Sequence, residues 1–276
     1  MGERAPKVIY KSYKWHQSSF DRMEKIRVGC CGWPCARDVY FKHFKTVELQ
    51  STFYKLPKLE TAIRWREQAT NNFCFSLKAW QAITHLPTSP TWRRAGLKPT
   101  KEHLNKCGWL RPTKENFEAW RLTKNICDAL EAKVCVIQCP PNFKCTAENI
   151  ANMREFLSKI DRGKLALAWE PRGDWNEHPD EIAELCEELE LTHVVDLMRR
   201  EPVSEQPIAY IRLHGLNPKE YDYRYNYSEG ELRLLAKKAR SLAEVHDEVY
   251  IMFNNTEMYA NALHLMKILK VKGGSR

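Results

Sequence analysis

The 276-residue chain has no apolar run approaching the roughly 20 residues that cross a bilayer. Its first eleven residues are charged and lack the apolar stretch of a secretory signal, so the expectation is a cytoplasmic protein with no membrane partner. No GxGxxG follows the first strand-like run and no Walker loop occurs, which argues against a dinucleotide fold or a P-loop nucleotide hydrolase. The ten cysteines form no CxxC pair. Without a signal they indicate free thiols in a reducing compartment. Several, such as Cys74, Cys135 and Cys186, lie inside apolar runs, where cysteine acts as a small buried hydrophobe. No short repeat, low-complexity tract or interdomain linker interrupts the chain, which implies one domain.

Hydrophobic residues make up 43%, enough for a sizeable core. Lys+Arg outnumber Asp+Glu by 44 to 35, a net charge of +9. Such an excess serves solubility or attracts a polyanion. Residues 1–24 are basic and aromatic (Lys7, Tyr10, Lys11, Tyr13, Lys14, Trp15, His16). They read as a short arm that packs on the rest of the protein or on a partner chain, or that touches nucleic acid with stacking aromatics.

Strand-like runs recur at residues 25–32, 46–50, 73–79, 134–139, 165–170, 192–196, 209–215 and 249–255. Helical patterns fall at 59–70, 112–132, 146–160, 179–191, 228–246 and 256–270. Thr113, Thr146 and Ser228 stand as N-caps, and Ser228 precedes Glu231 by three residues, a capping-box spacing. The connection 80–109, with Pro87, Pro90 and Pro99, is long enough to be functional or lid-like. Strands alternating with helices imply a parallel sheet, and eight such units in one stretch imply an α/β fold, a single (β/α)8 TIM-type barrel over residues 25–271. An open doubly wound sheet is the alternative. Residues 272–276 read as a frayed tail.

In such barrels the chemistry sits where the C-terminal strand ends converge. Here those ends carry Cys31 to Trp33, Glu48 and Gln50, Lys78, Gln138, Glu170 and Arg172, Asp196, Arg212 and His214, and Asn254 and Asn255. Polar groups at a barrel mouth are costly unless paired or used. The aromatics Trp33, Phe53, Tyr54, Trp80 and Trp175 flank these tips, and residues 221–227 (YDYRYNY) form an aromatic-basic loop that closes over a ligand or is simply ordered.

The segments VGCCGWP, VELQSTFY, FSLKAWQAITH, QCPPNF, WEPRGDW, YIRLHG and YIMFNN, in this order, resemble the YecE-like family, the domain of unknown function 72. The resemblance runs from about Ile26 to the last helix. It implies a TIM-type barrel with a pocket at the strand tips and no established activity. In general form it is similar to the endonuclease IV and xylose isomerase group. The sequence departs at the first motif, where Cys30, Cys31 and Cys35 stand in place of small residues such as Thr or Ser.

Three chemistries fit these residues. In the first, Glu48, Glu170, Asp196 and His214 hold a divalent metal that activates water against a phosphodiester. Arg172 and Arg212 beside those ligands favour ion pairing or anion binding instead. In the second, Lys78, desolvated at the mouth, attacks an aldehyde as a Schiff-base nucleophile, unless it is held by Glu48 or Glu170. In the third, Glu170 and Asp196 form a metal-free acid–base pair assisted by His214 or His85. The resulting expectation is a nuclease or lyase for DNA, RNA or another phosphorylated substrate, in DNA repair. Its catalytic groups are Glu170, Asp196, His214 and Lys78. Its substrate-binding groups are Trp33, Glu48, Gln50, Tyr54, His85, Gln138, Arg172, Arg212, Asn254 and Asn255. Arg93, Arg94, Lys98 and Lys101 on the long connection would attract the anion. The alternatives are a hydrolase or isomerase for a sugar or sugar phosphate, and a non-catalytic nucleic-acid-binding barrel. A zinc or iron–sulfur site at Cys30, Cys31 and Cys35 or at Cys135, Cys139 and Cys145 is the weaker cofactor reading, because the spacings fit no metal motif.

Overall fold

Each apolar, β-branched run stops at a polar residue, a proline or a glycine, and this fixes short strands of similar length. The computed structural model describes residues 24–274. Its strands are β1 (Ile26–Cys31), β2 (Thr46–Leu49), β3 (Cys74–Lys78), β4 (Val134–Gln138), β5 (Ala166–Glu170), β6 (Leu191–Val195), β7 (Ile208–Leu213) and β8 (Glu248–Phe253). Every neighbouring pair is parallel, and β8 pairs with β1, so the sheet closes into a barrel of eight strands. The register sets Gln138 beside Glu170 and Cys31 beside Glu48. The expected α/β barrel is therefore the fold.

The outer layer is α1 (Arg37–His43), α2 (Ser51–Tyr54), α3 (Leu59–Gln68), α4 (Pro90–Arg94), α5 (Lys101–Leu104), α6 (Lys114–Ala129), α7 (Ala147–Lys159), α8 (Pro179–Glu188), α9 (Glu229–Val245) and α10 (Met258–Leu269). The caps read from sequence are made: Thr113 accepts from the Asn116 N–H, Thr146 from the Asn149 N–H, and Ser228 and Glu231 form the reciprocal box. On α9 a stripe of Leu232, Leu235, Ala236, Ala239 and Ala243 is buried, as an amphipathic helix on a sheet requires. Helix α1 falls where the sequence pattern gives no helix. Its seven residues bury only Tyr40, too little for a periodic signal. The Tyr40 hydroxyl accepts from the Cys30 N–H and donates to the Thr46 carbonyl, both at 2.8 Å, so it ties β1 to β2.

Strand residues alternate in and out with a period of two, and this sorts the core. Outward residues such as Leu77, Ile137, Trp169 and Ile211 pack under the helices. Inward residues form a second cluster with Val134, Val136, Ala168, Val194, Tyr210, Tyr250 and Met252. The same parity carries Lys78, Gln138, Glu170, Arg212 and Glu48 inward at the upper layer. The connection 80–109 is pinned rather than loose: the Gly108 N–H donates to the Ala82 carbonyl and the Trp92 indole to the His85 carbonyl. All but the last residue of the 1–24 arm lies outside the described residues, as do the last two of the tail. Gly273 and Gly274 lie against the carbonyls of His43 and Phe41 on α1. Among the described residues no helix is long and apolar enough to cross a membrane.

Candidate active site

The mouth is built around one arginine. Arg212 has no exposed surface. Its Nε donates to Glu48 Oε2 at 3.0 Å, and its Nη1 donates to Glu170 Oε2. Arg172 donates from Nε and Nη2 to Glu170 Oε1 at 2.8 and 2.6 Å, and its guanidinium lies 3.9 Å over the Tyr221 ring. Glu48 also accepts from the Tyr210 hydroxyl at 3.0 Å and from Gln50 Nε2. A chain of alternating charge, Glu48–Arg212–Glu170–Arg172, therefore crosses the barrel from β2 to the loop after β5. Burial alone would raise the Glu170 carboxyl, but Arg172 and Arg212 outweigh it and hold the group far below the usual carboxylate range. Burial likewise opposes the Arg212 charge, and Glu170 and Glu48 overcome it, which fixes the guanidinium as a cation.

Lys78 is the odd charge. It is 5% exposed. Its Nζ donates to Gln138 Oε1 at 2.7 Å and sits 4.0 Å over the Phe53 ring. Among the described residues no carboxylate oxygen comes within 4.0 Å of it. Burial, reinforced by the Arg212 and Arg172 charges, pushes its amine down to about 7, against a weaker pull upward from Glu170 and Glu48. An amine lowered in this way sheds its proton, and becomes nucleophilic, at a lower pH than an ordinary lysine.

His214 lies between two carboxyls: Nε2 is 3.8 Å from Glu170 Oε1 and Nδ1 is 3.9 Å from Asp196 Oδ2. Neither ring nitrogen has a hydrogen-bond partner among the described residues. Burial, with help from Arg212, Arg172 and Lys78, holds its pKa well below the ordinary histidine value, so the imidazole is neutral. Asp196 accepts from the backbone N–H groups of His214 at 3.0 Å and Met198 at 3.1 Å, and burial pushes its carboxyl up to about 6. Tyr221 and Tyr223 close over His214 at ring distances of 5.4 and 5.7 Å. The loop that carries them leaves β7 at Gly215, whose φ of +99° and close approach to Tyr225 require glycine.

The remaining residues named from sequence are distributed around this cluster. His85 packs edge-on to Phe53 at 4.8 Å and pairs with Thr84 Oγ1 at 2.8 Å; burial, then Lys78 and Arg172, lower it to about 3. Trp33 packs edge-on against Tyr40 and Phe41, in the shell of α1 rather than in the cluster. Asn255 donates to the Tyr225 carbonyl and to Asn261, both at 2.8 Å, and so anchors the tyrosine loop. The Asn254 backbone continues the ladder to Leu213. Tyr54 lies one ring outward from Phe53, 36% exposed. Two groups were missed: Tyr210, and Ser76 bonded to its hydroxyl at 2.6 Å. Tyr210 shares strand parity with Arg212 and His214, and that parity was the available signal.

The donor set does not suit a metal. A divalent ion needs carboxylates and imidazoles converging with lone pairs free. Here Glu48 and Glu170 direct their oxygens at Arg212, which occupies the space between them with a fixed positive charge. Asp196 is spent on backbone N–H groups. Among the described residues no three His, Cys, Asp or Glu side chains converge as a ligand set. The quartet Glu48, Glu170, Asp196 and His214, named from sequence as the ligands if a metal is present, is in this arrangement engaged with Arg212 and with backbone N–H groups. All ten cysteines are free of disulfides, and eight are buried.

The sequence pattern described as "Protein of unknown function DUF72" matches residues 36–275. The UPF0759 protein YunF of Bacillus subtilis (strain 168) is 23% identical over 266 residues, covering 84% of this chain and 86% of that one. Among solved structures, a DUF72 family protein from Enterococcus faecalis V583 superposes with a TM-score of 0.70 at 21% identity, over 90% of this chain and 99% of that one. Another, from Thermotoga maritima MSB8, gives 0.65 at 22%, over 89% and 99%. Barrels of other description share the fold: endonuclease IV from Thermus thermophilus and a D-psicose 3-epimerase both superpose with a TM-score of 0.51, at 11% and 9% identity, over 88% and 90% of this chain and 99% and 100% of theirs. With the pattern spanning most of the barrel and the solved members superposing over nearly all of it, the chain belongs to the DUF72 family.

Proposed function

We propose that the protein is a metal-independent lyase whose Lys78 amine attacks the aldehyde carbon of an anionic sugar, with an abasic site in nucleic acid as its substrate. The observation that carries this reading is the state of Lys78: buried, facing two arginines, lowered to about 7 and held by a neutral amide instead of a carboxylate. In the reaction the Nζ lone pair forms a C–N bond to the carbonyl carbon and the oxygen takes a proton. Loss of water gives the imine. His214, with Asp196 on its other side, then accepts the proton from the adjacent carbon, the C–O bond to the phosphate beyond breaks with its electron pair, and water hydrolyses the imine to free Lys78.

The charge of the molecule supports an anionic substrate. Net charge is +9, and Arg93, Arg94 and Lys98 are exposed on the connection that follows β3, at the mouth end of the barrel. The fold likeness to endonuclease IV agrees with this reading and the likeness to sugar epimerases with a rival, a free sugar phosphate. One feature favours the rival: Lys78, Glu170, Arg172 and His214 are each less than 8% exposed, so a polymer must turn its sugar inward.

The test is borohydride trapping of purified protein with abasic-site DNA and with a free sugar phosphate, with and without EDTA. The expected outcome is a covalent adduct on Lys78 that EDTA does not reduce and that Lys78→Ala abolishes. Cleavage without any adduct, lost in EDTA, would overturn the proposal in favour of metal chemistry.

A further inference from the structure

Beside the amine, on the outer side of the β2 and β3 ends, lies a groove of about 410 Å³ walled by Tyr54, Pro57, Leu59, Trp80, Leu97 and Leu122. The buried Phe53 ring separates it from the mouth. Lys78 Nζ is 4.0 Å from the Phe53 ring, the Phe53 ring is 5.1 Å from that of Tyr54, and Trp80 is two residues beyond Lys78. Gln81 fixes the wall, donating its N–H to the Phe53 carbonyl at 2.9 Å and its amide to the Tyr54 carbonyl at 3.3 Å. The groove leaves apolar surface in water, with Tyr54 36% and Leu59 46% exposed. The Trp80 indole N–H is shielded from solvent and has no acceptor among the described residues. Lys55 lines the groove, and among the described residues no carboxylate does. Lys58, Arg93, Arg94 and Lys98, on the segments that form its walls, are exposed, and so are Glu60, Glu118 and Asp128, so the surrounding charge is mixed with an excess of cations.

An apolar slot with an aromatic wall and exposed cations nearby suits a planar group with an anionic tether. We propose that this groove seats the nucleobase next to the reacting sugar of a single-stranded or locally opened nucleic acid, its phosphates lying on the surrounding lysines and arginines. The inference rests on the abasic-site reading given above. Stacking on Tyr54 and Trp80 would hold the neighbouring nucleotide while its baseless partner, smaller and cheaply unstacked, turns toward Lys78.

The experiment compares two labelled oligonucleotides. Both carry one central abasic site; in the first its neighbours are ordinary nucleotides, in the second they are abasic too. Equilibrium binding is read by fluorescence anisotropy for wild type and Leu59→Glu, and the same mixtures are then treated with borohydride. The expected result is roughly ten-fold tighter binding of the first oligonucleotide by wild type, a preference that Leu59→Glu loses while its melting temperature is unchanged. Equal affinity for both, or no binding, overturns the groove assignment. The adduct reports separately on Lys78. Base-dependent binding without trapping supports the groove and sinks the Schiff-base reading. Trapping without base dependence does the reverse, and neither signal overturns both.

Discussion

Lys78 is kept among two guanidiniums at a cost to folding. The unfolded chain holds the lysine proton up to 10.5, whereas the folded chain releases it near 7. Between those values the unfolded state binds more protons, so this residue makes stability rise with pH. Lys78→Met, although it leaves the Gln138 carbonyl without its donor, is expected to melt above wild type at neutral and acid pH, with the gap narrowing as pH climbs from about 7 toward 10.5. Calorimetry across that range checks it. Adduct formation by wild type should rise through about pH 7 and then level off, where an ordinary lysine would still be gaining reactivity. A trapping rate that climbs steadily to pH 10 would show an unperturbed amine. Arg212 is the opposite case. Removing it strands Glu48 and Glu170 in the interior, and Arg212→Met should cost about 3–5 kcal/mol in urea unfolding. These residues were legible in sequence as polar tips on apolar strands, and strand parity brings them together. That Arg172 and Arg212 favour ion pairs over a metal was legible from their place beside the carboxylates, but which carboxylates each would take was not, because that depends on how far across the barrel each side chain reaches.

Among the elements, the strands and long helices were readable because their burial repeats: the helix read at 112–132 is Lys114–Ala129 and the strand at 134–139 is Val134–Gln138. What escaped were short pieces held by single contacts, such as α1 through the Tyr40 hydroxyl. The loop after β7 is held in the same manner. Gly215 donates its N–H to the Tyr227 hydroxyl at 2.9 Å, Asn255 grips the Tyr225 carbonyl, and Arg200 forms a two-point ion pair with Glu220. A Cβ at position 215 would fall 2.4 Å from that of Tyr225, in a backbone region that L side chains avoid. Gly215→Ala should therefore loosen residues 216–227 and uncover His214 and Arg172. Faster protease nicking within that loop, with a drop in adduct yield and little change in the rest of the barrel, is the expected pattern. Unchanged nicking would mean that the loop is held elsewhere.

For the whole molecule the excess of positive charge sets how a substrate arrives. If nucleic acid is the ligand, each phosphate contact releases counterions, and affinity should fall by about ten-fold or more between 50 and 200 mM salt. Binding of the abasic oligonucleotide that ignores salt would leave the basic loop without a role and favour the free sugar phosphate. The distribution of thiols offers a different kind of access. Of ten free cysteines only Cys35 and Cys145 are not buried, and they sit on the loops after β1 and β4, three strands apart around the same rim. Dyes that react with thiols under native conditions would therefore attach at these two points without any cysteine being removed by mutation. The natural protein thus carries a ready pair of attachment points spanning the mouth, from which opening and closing could be followed as a change in energy transfer while a substrate enters.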